Sequence, residues 1–235
     1  MDNNISHPDS RPAVTADCVI FGFDGKNINI ALIERSQDPF KGYWALPGGF
    51  MRMDETIEQC ARRVLNEETG ARVLYMEQLH VFSDLKRDPR ERVLTVAFYA
   101  LVSKNDYQLV GGDDTGAAAW FQWDELPPLA FDHQSIVKIA KDRLRERFRA
   151  VPLAFKLLGK TFKMSELQRL YELINRTTYD RRNFHRKVLS TGLLSDEGIN
   201  SVPEPNRAAQ LYSFNESRYM SELEQDEIKK PPFNL

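Results

Sequence analysis

The sequence predicts an α+β fold: a mixed β-sheet with flanking helices, followed by a small winged helix-turn-helix domain. Three observations carry this. Short apolar, β-branched runs separated by turn residues fill the chain up to about residue 123. A glycine pair, Gly48-Gly49, opens an acidic helix. Past Pro152 the strand-like runs give way to short amphipathic helices, the second of them basic.

Composition frames the reading. With 235 residues, 42% hydrophobic and 28% charged, the chain has the make-up of an ordinary globular protein. A net charge of -2 gives no global nucleic-acid or membrane signal, but the average hides a split. Residues 151–215 carry ten Lys and Arg against six Asp and Glu, net +4, which leaves -6 for the rest. Cys18 and Cys60 sit in apolar surroundings without metal-ligand spacing or a disulfide framework, and read as small core residues. Residues 1–12 read as a flexible polar tail without the apolar segment of a signal peptide, and no run of about 18 apolar residues occurs. A cytoplasmic protein without a membrane partner is expected.

Taken in order, Ala16 to Phe23 is a buried strand, Asp24-Gly25 a turn, and Ile28 to Glu34 the alternating return strand of a hairpin. Aromatic residues, Trp44 among them, precede the glycine turn, where glycine permits positive φ and a close approach of backbone to ligand. Asp54 is the expected N-cap of a helix with Ile57, Ala61, Val64 and Leu65 facing inward and a stop at Gly70. Residues 73–84 give one or two strands. A charged loop, residues 86–92, then precedes the strand 93–102. Its cations are either a solvated turn or face an anionic ligand in a cleft over the sheet, so Trp44, Arg52, Lys86, Arg87 and Arg92 are the candidate effector-binding residues. Residues 111–115 form a turn and 117–123 a strand. A helix over 134–149 has Ile136, Ile139, Ala140, Leu144 and Phe148 at helical spacing. His133, beside Asp132, is read as a capping or turn residue.

The second domain opens with apolar residues 153–158. Ser165 is the expected N-cap of a helix whose apolar face is Leu167, Leu170, Tyr171 and Ile174. A turn over 175–178 leads to a second helix from Asp180, with Phe184, Val188 and Leu189 inward and its cations outward. Residues 193–194 and 210–214 pair as a wing around a polar loop. The DNA-contact candidates are Lys163, Arg181, Arg182, Asn183, Arg186, Lys187 and Arg207, because Arg and Asn read base edges and Lys neutralises phosphate. The bland alternative is a small helical domain with a solvated basic face. Residues 219–235 read as a C-terminal extension.

The stretch from Gly49 to Ala71 has the spacing G-x5-E-x7-R-V-L-x-E-E-x-G-A. This resembles the Nudix signature, with Gly49, Glu55, Arg63 and Gly70 at its structural positions. The resemblance places Glu67 and Glu68 at metal-ligand positions, and Val64 where the signature has glutamate. At helical spacing 64, 67 and 68 share a face, and three carboxylates there would suit Mg2+ beside a phosphate; valine supplies no oxygen, so no catalytic residue is assigned. With the basic winged helix, and with L-P-G-G-F (46–50), R-D-P-R-E-R-V (87–93), L-A-F-D-H (129–133) and D-R-R-N-F-H-R-K-V (180–188), the chain resembles the Nudix-related transcriptional regulators, and several stretches look closer to the sugar-responsive, AraR-type branch than to the regulators of NAD metabolism.

The resemblance implies a Nudix-like effector-sensing domain over 13–150 and a winged helix over 151–218. It implies a homodimeric repressor of double-stranded operator DNA that senses a sugar or sugar nucleotide, a pentose or an ADP-ribose-like molecule. No cofactor is required, though Glu67 and Glu68 leave Mg2+ open. The alternative is a Mg2+-dependent Nudix hydrolase of a nucleoside diphosphate derivative such as ADP-ribose.

Overall fold

The computed structural model describes residues 11–70, 75–104, 109, 115–199 and 210–224. Its contacts divide the chain into two compact units, one of residues 1–20, 30–100 and 108–140, the other of residues 21–29, 101–107 and 141–235. The class is the expected α+β.

A seven-stranded sheet is built from β1 (Ala13–Phe23), β2 (Ile28–Arg35), β3 (Trp44–Ala45), β4 (Gly48–Phe50), β5 (Tyr75–Phe82), β6 (Val93–Ser103) and β7 (Thr115–Gln122). Its main path runs β3-β2-β1-β6-β5, with β4 added on β1 and β7 on β2. The central strands read as continuous apolar runs because they are buried: Cys18, Val19, Ile20, Ile30, Leu32, Tyr99 and Ala100 are inaccessible to solvent or nearly so. Strand β1 begins at Ala13, three residues earlier than the apolar run suggested. Its partner there is the short β4, in register Thr15 with Phe50 and Asp17 with Gly48. The expected turn at 111–115 lies almost wholly outside the described residues.

Helix α1 (Ile57–Thr69) buries Cys60, Ala61, Val64 and Leu65 and ends at Gly70 in the left-handed region, as its glycine predicts. Its cap is Thr56, not Asp54: the Thr56 hydroxyl accepts from the Gln59 amide and the Gln59 side chain answers to the Thr56 amide. That reciprocal pair outcompetes a lone aspartate two residues earlier. Helix α2 (His133–Ala150) buries Ile136, Val137, Ala140, Leu144 and Phe148; Ile139, expected inward, is exposed and Val137 takes its place.

In the second unit, α3 (Ala154–Leu157) and a short β8 (Phe162–Lys163) precede α4 (Met164–Asn175), whose buried face is Met164, Leu167, Leu170, Tyr171 and Ile174. Its N-cap is Lys163, not Ser165, because the Glu166 carboxylate reaches back to the Lys163 amide at 2.7 Å. Helix α5 (Arg181–Ser190) is capped by Asp180, which accepts from the Asn183 amide, and buries Phe184 and Val188. Leu189 faces solvent rather than the core. The aromatic line Phe148, Tyr171, Phe184 joins α2, α4 and α5 with centroids 5.7 and 6.1 Å apart. The wing is present as β9 (Leu194–Ile199) antiparallel to β10 (Gln210–Phe214), with β8 as a third strand the sequence did not announce. Residues 216–224 form α6 (Glu216–Glu224). Phe214, which precedes it, stacks on Phe155 at 3.9 Å. No helix among the described residues is long and apolar enough to cross a membrane.

Candidate functional site: a cationic cleft and a basic helix

A cleft of about 390 Å³ opens in the first unit, walled by β1, the ends of β2 and β4, α1, the loop after β5 and the residues before α2. Its floor is held by four backbone-anchored contacts. The Leu46 amide donates to His133 Nδ1 at 2.9 Å, and the Gly48 amide donates to Glu68 Oε2 at 2.9 Å. The Cys18 amide donates to the Pro47 carbonyl, and the Met51 amide to that of Val14. Gly48 must be glycine, since a Cβ there would run into the Asp17 carboxylate and the Ala16 carbonyl.

Arg63 fastens the loop to α1. Its guanidinium donates to both Glu55 oxygens (2.9 and 2.6 Å), to the Phe50 carbonyl (3.0 Å) and to Glu67 (2.9 Å). This bidentate pair holds the Glu55 carboxyl down at about 2 and raises the Arg63 guanidinium further. Arg63, in the middle of α1, thus pins Glu55 and the Phe50 carbonyl of the loop that begins at Gly49, and Gly70 closes the far end of the helix.

The three positions of the metal face meet different fates. Val64 is buried, and a Cβ on Gly49 would come within 2.9 Å of its methyl, so the valine packs where the glycine leaves room. Glu67 is tied to Arg63 and lies 3.7 Å from Arg52. Burial pushes the Glu68 carboxyl up to about 8, with Asp17 and Glu67 adding to the rise and the Gly48 amide opposing it. Glu68 already accepts from the Gly48 amide and Glu67 is ion-paired to Arg63, whereas a hard cation prefers several free anionic oxygens. Among the described residues no cluster of three His, Cys, Asp or Glu side chains could hold a metal ion. The donor set does not fit a resident Mg2+.

The other expected residues separate. Arg87 lines the cleft but is buried and spent: it grips Asp132 through two bonds (3.0 and 2.9 Å) and reaches Asp17 at 3.1 Å. Arg52 lines the cleft as an exposed side chain. Trp44 packs edge-on against Phe121 and Lys86 is exposed; neither lines the cleft, nor does Arg92, which donates to the Asp84 carbonyl. His133 is buried and kept below its ordinary pKa by that burial, against the pull of Asp17 and Asp132. Its amide closes a turn on the Ala130 carbonyl at 3.3 Å, in line with the turn reading, and its ring adds what the sequence did not show, the acceptor that seats the Leu46 amide.

The sequence did not point to Asp17, Arg35 or Phe131, and to Arg90 only as one of the cations of the loop 86–92. Asp17 carried a usable signal, a carboxylate inside a buried apolar strand. Phe131 adopts φ 54 and lies under two guanidiniums, Arg35 at 4.8 Å and Arg90 at 5.6 Å.

In the second unit Arg181, Arg182, Asn183, Arg186 and Lys187 are all exposed on α5, opposite Phe184 and Val188; Arg186 donates to Asn183 at 2.9 Å. Lys163 is half-buried at the start of α4. Arg207 lies outside the described residues.

Comparison with known proteins places these features in context. Residues 11–140 match the NUDIX domain model, and residues 154–214 match the model of the NrtR DNA-binding winged helix domain. The ADPR responsive transcriptional repressor NtrR of Acinetobacter baylyi is 34% identical over 210 residues, covering 86% of this chain and 82% of that protein. The ADP-ribose pyrophosphatase of Methanocaldococcus jannaschii is 42% identical over 128 residues, 54% of this chain and 72% of that protein. The crystal structure of Shewanella oneidensis NrtR complexed with a 27mer DNA superposes with a TM-score of 0.74 at 32% identity, covering 86% of this chain and 93% of that one. The sugar-responsive branch expected from sequence gains no support from these relatives: two of them are named for ADP-ribose and none for a sugar regulator.

Proposed function

We propose a function from one premise: the chain belongs to the NrtR family of Nudix-domain transcriptional regulators. On this reading it is a repressor that binds double-stranded operator DNA through α5 and the wing and releases it when ADP-ribose enters the cleft of the first unit. The observation that carries the reading is the contrast between the metal face of α1 and the basic face of α5. On α1 the metal face is committed to packing and internal hydrogen bonds, whereas α5 presents a row of exposed cations and an asparagine beside a three-stranded wing. A helix of that kind suits the major groove, and a homodimer would set two of them one helical turn apart on a pseudo-palindrome. The ADP-ribose assignment is supported by the A. baylyi relative, whose printed name states that response.

The test uses a duplex selected by the wild-type protein from a random pool. Arg182→Ala and Arg186→Ala should each weaken binding by about tenfold or more, as expected for contacts worth about 1–3 kcal/mol. ADP-ribose binding should stay as in the wild type. Unchanged retention of the duplex by both variants would remove α5 from the interface.

A second reading, hydrolysis of ADP-ribose, is favoured by the M. jannaschii relative. It predicts turnover with Mg2+ or Mn2+ that disappears in Glu68→Gln. The packed Val64 and the Glu68 carboxylate engaged by the Gly48 amide argue against it.

A further inference from the structure

We propose that Arg35 supplies the positive charge that meets the diphosphate of the effector, so that the cleft binds it without a metal ion. This inference rests on the ADP-ribose reading above. The arginines that line the cleft are not equivalent. Arg87 is held by Asp132 and Asp17, Arg63 by Glu55 and Glu67, and Arg90 by a bidentate grip on Asp88 at 3.0 and 2.7 Å. Arg52 stands 60% exposed with Glu67 at 3.7 Å. Arg35 differs from all four. Its Nε and Nη2 donate to the carbonyls of Pro39 (2.9 Å) and Gln37 (3.2 Å), and among the described residues no carboxylate lies within ion-pair distance of it.

The side chain is half-buried at the end of β2 and lies 4.8 Å over the Phe131 ring. Withdrawal from water and the neighbouring Arg90 disfavour its charge, and Asp88, Glu68 and Asp38 favour it from beyond ion-pair distance. A cation partly withdrawn from water and without a direct ion pair gains when an anion makes contact with it. Two carbonyl bonds leave guanidinium donors unspent, and the planar fork matches phosphate oxygens in pairs. The carbonyls of Gln37 and Pro39 and the ring of Phe131 hold the group in place, so little side-chain freedom is lost when the ligand binds.

On α1, by contrast, the groups that would carry a divalent cation in a full carboxylate set are a buried valine, a Glu67 ion-paired to Arg63 and a Glu68 that accepts from the Gly48 amide. Charge neutralisation of the diphosphate therefore falls to the protein's own cations. Arg35 is the cleft-lining arginine that no carboxylate of the described residues claims.

The experiment is calorimetric titration of the full-length protein with ADP-ribose and with AMP, first in EDTA and then in Mg2+. Wild-type protein should bind ADP-ribose in EDTA, with Kd altered less than about twofold by Mg2+. Arg35→Gln should weaken ADP-ribose by about tenfold or more, the scale of a lost charge-assisted hydrogen bond, and AMP by clearly less. Arg35→Lys, which keeps the charge without the fork, should fall between. Because Arg35 also braces the turn over 36–39, the melting temperature of each ligand-free variant is measured alongside. If Gln at this position unfolds the protein, the Lys variant decides by its ADP-ribose to AMP ratio. An equal loss for both ligands would reduce Arg35 to a brace and overturn the proposal. Binding abolished by EDTA and restored by Mg2+ would overturn it as well. Wild-type protein that binds ADP-ribose in neither buffer would sink the effector reading first, and this inference with it.

Discussion

His133 turns its Nδ1 lone pair to the Leu46 amide, which places the ring proton on Nε2, 3.7 Å from Asp17. A second proton would have to sit on Nδ1 and would break the Leu46 contact. Burial keeps the folded pKa below the ordinary 6.5, whereas the unfolded chain takes up its proton near that value. The sign follows from linkage: the contribution of His133 is fully present above pH 6.5 and is lost as pH falls through the folded pKa. Glu68 acts in the opposite sense. Its folded pKa is raised, so its burial costs more as pH climbs towards about 8. Comparing wild type with His133→Asn cancels that term, since Asn keeps an acceptor and does not titrate. Urea denaturation at pH 7.5 and pH 5 should show the wild type losing stability relative to the variant, by up to about 1.4 kcal/mol for each unit below the unfolded pKa. Parallel pH dependence in the two proteins would show that His133 is protonated without cost.

The helices show why some element boundaries were readable and others were not. Gly70 announced the end of one helix and Asp180 the start of another, and the structure places the caps there. Asp54 and Ser165 are equally good cap residues by type, but the caps formed at Thr56 and Lys163, because Gln59 and Glu166 reach back to the cap amides. The partner three residues on decided between neighbours. Thr56→Ala should cost α1 about 1 kcal/mol, within the 0.5–2 typical of a lost cap, measured as a lower urea midpoint with unchanged slope. No change would mean that the Glu55–Arg63 clasp alone fixes the helix start. The clasp was legible through the Nudix resemblance, which sets Glu55 and Arg63 at paired structural positions. The cleft wall was not: Arg87 meets Asp17 across 70 positions and Asp132 across 45, and no local pattern encodes such meetings. Arg35 offered still less, a lone cation closing an alternating strand. Ile139 and Leu189 failed for a related reason, since helical spacing defines a stripe but not which edge of it meets the core.

At the scale of the whole protein, the proposed function makes the cleft and α5 the two ends of one equilibrium. If ADP-ribose releases DNA, it must bind the DNA-free arrangement more tightly, and the coupling is reciprocal. A factor α by which saturating ADP-ribose weakens the duplex should equal the factor by which saturating duplex weakens ADP-ribose, with both read by fluorescence anisotropy at one salt concentration. Unequal factors would mean that the two ligands do not share a single two-state equilibrium. Shifting an operator from almost wholly bound to almost wholly free requires a difference of about 10⁴-fold between the two arrangements. Duplex affinity should also fall steeply with salt, and Arg182→Ala should reduce the log-log slope by about one.

The methyl of Val64 lies where a side chain on Gly49 would have to go, and the valine is sealed from solvent. The contact ties two positions together. A glutamate at 64 would give up the packing against the loop and set another carboxylate on the helix face that already buries Glu68. A side chain at 49 would meet the valine methyl. The turn and the helix face are therefore one constraint: neither position changes without unsettling the other.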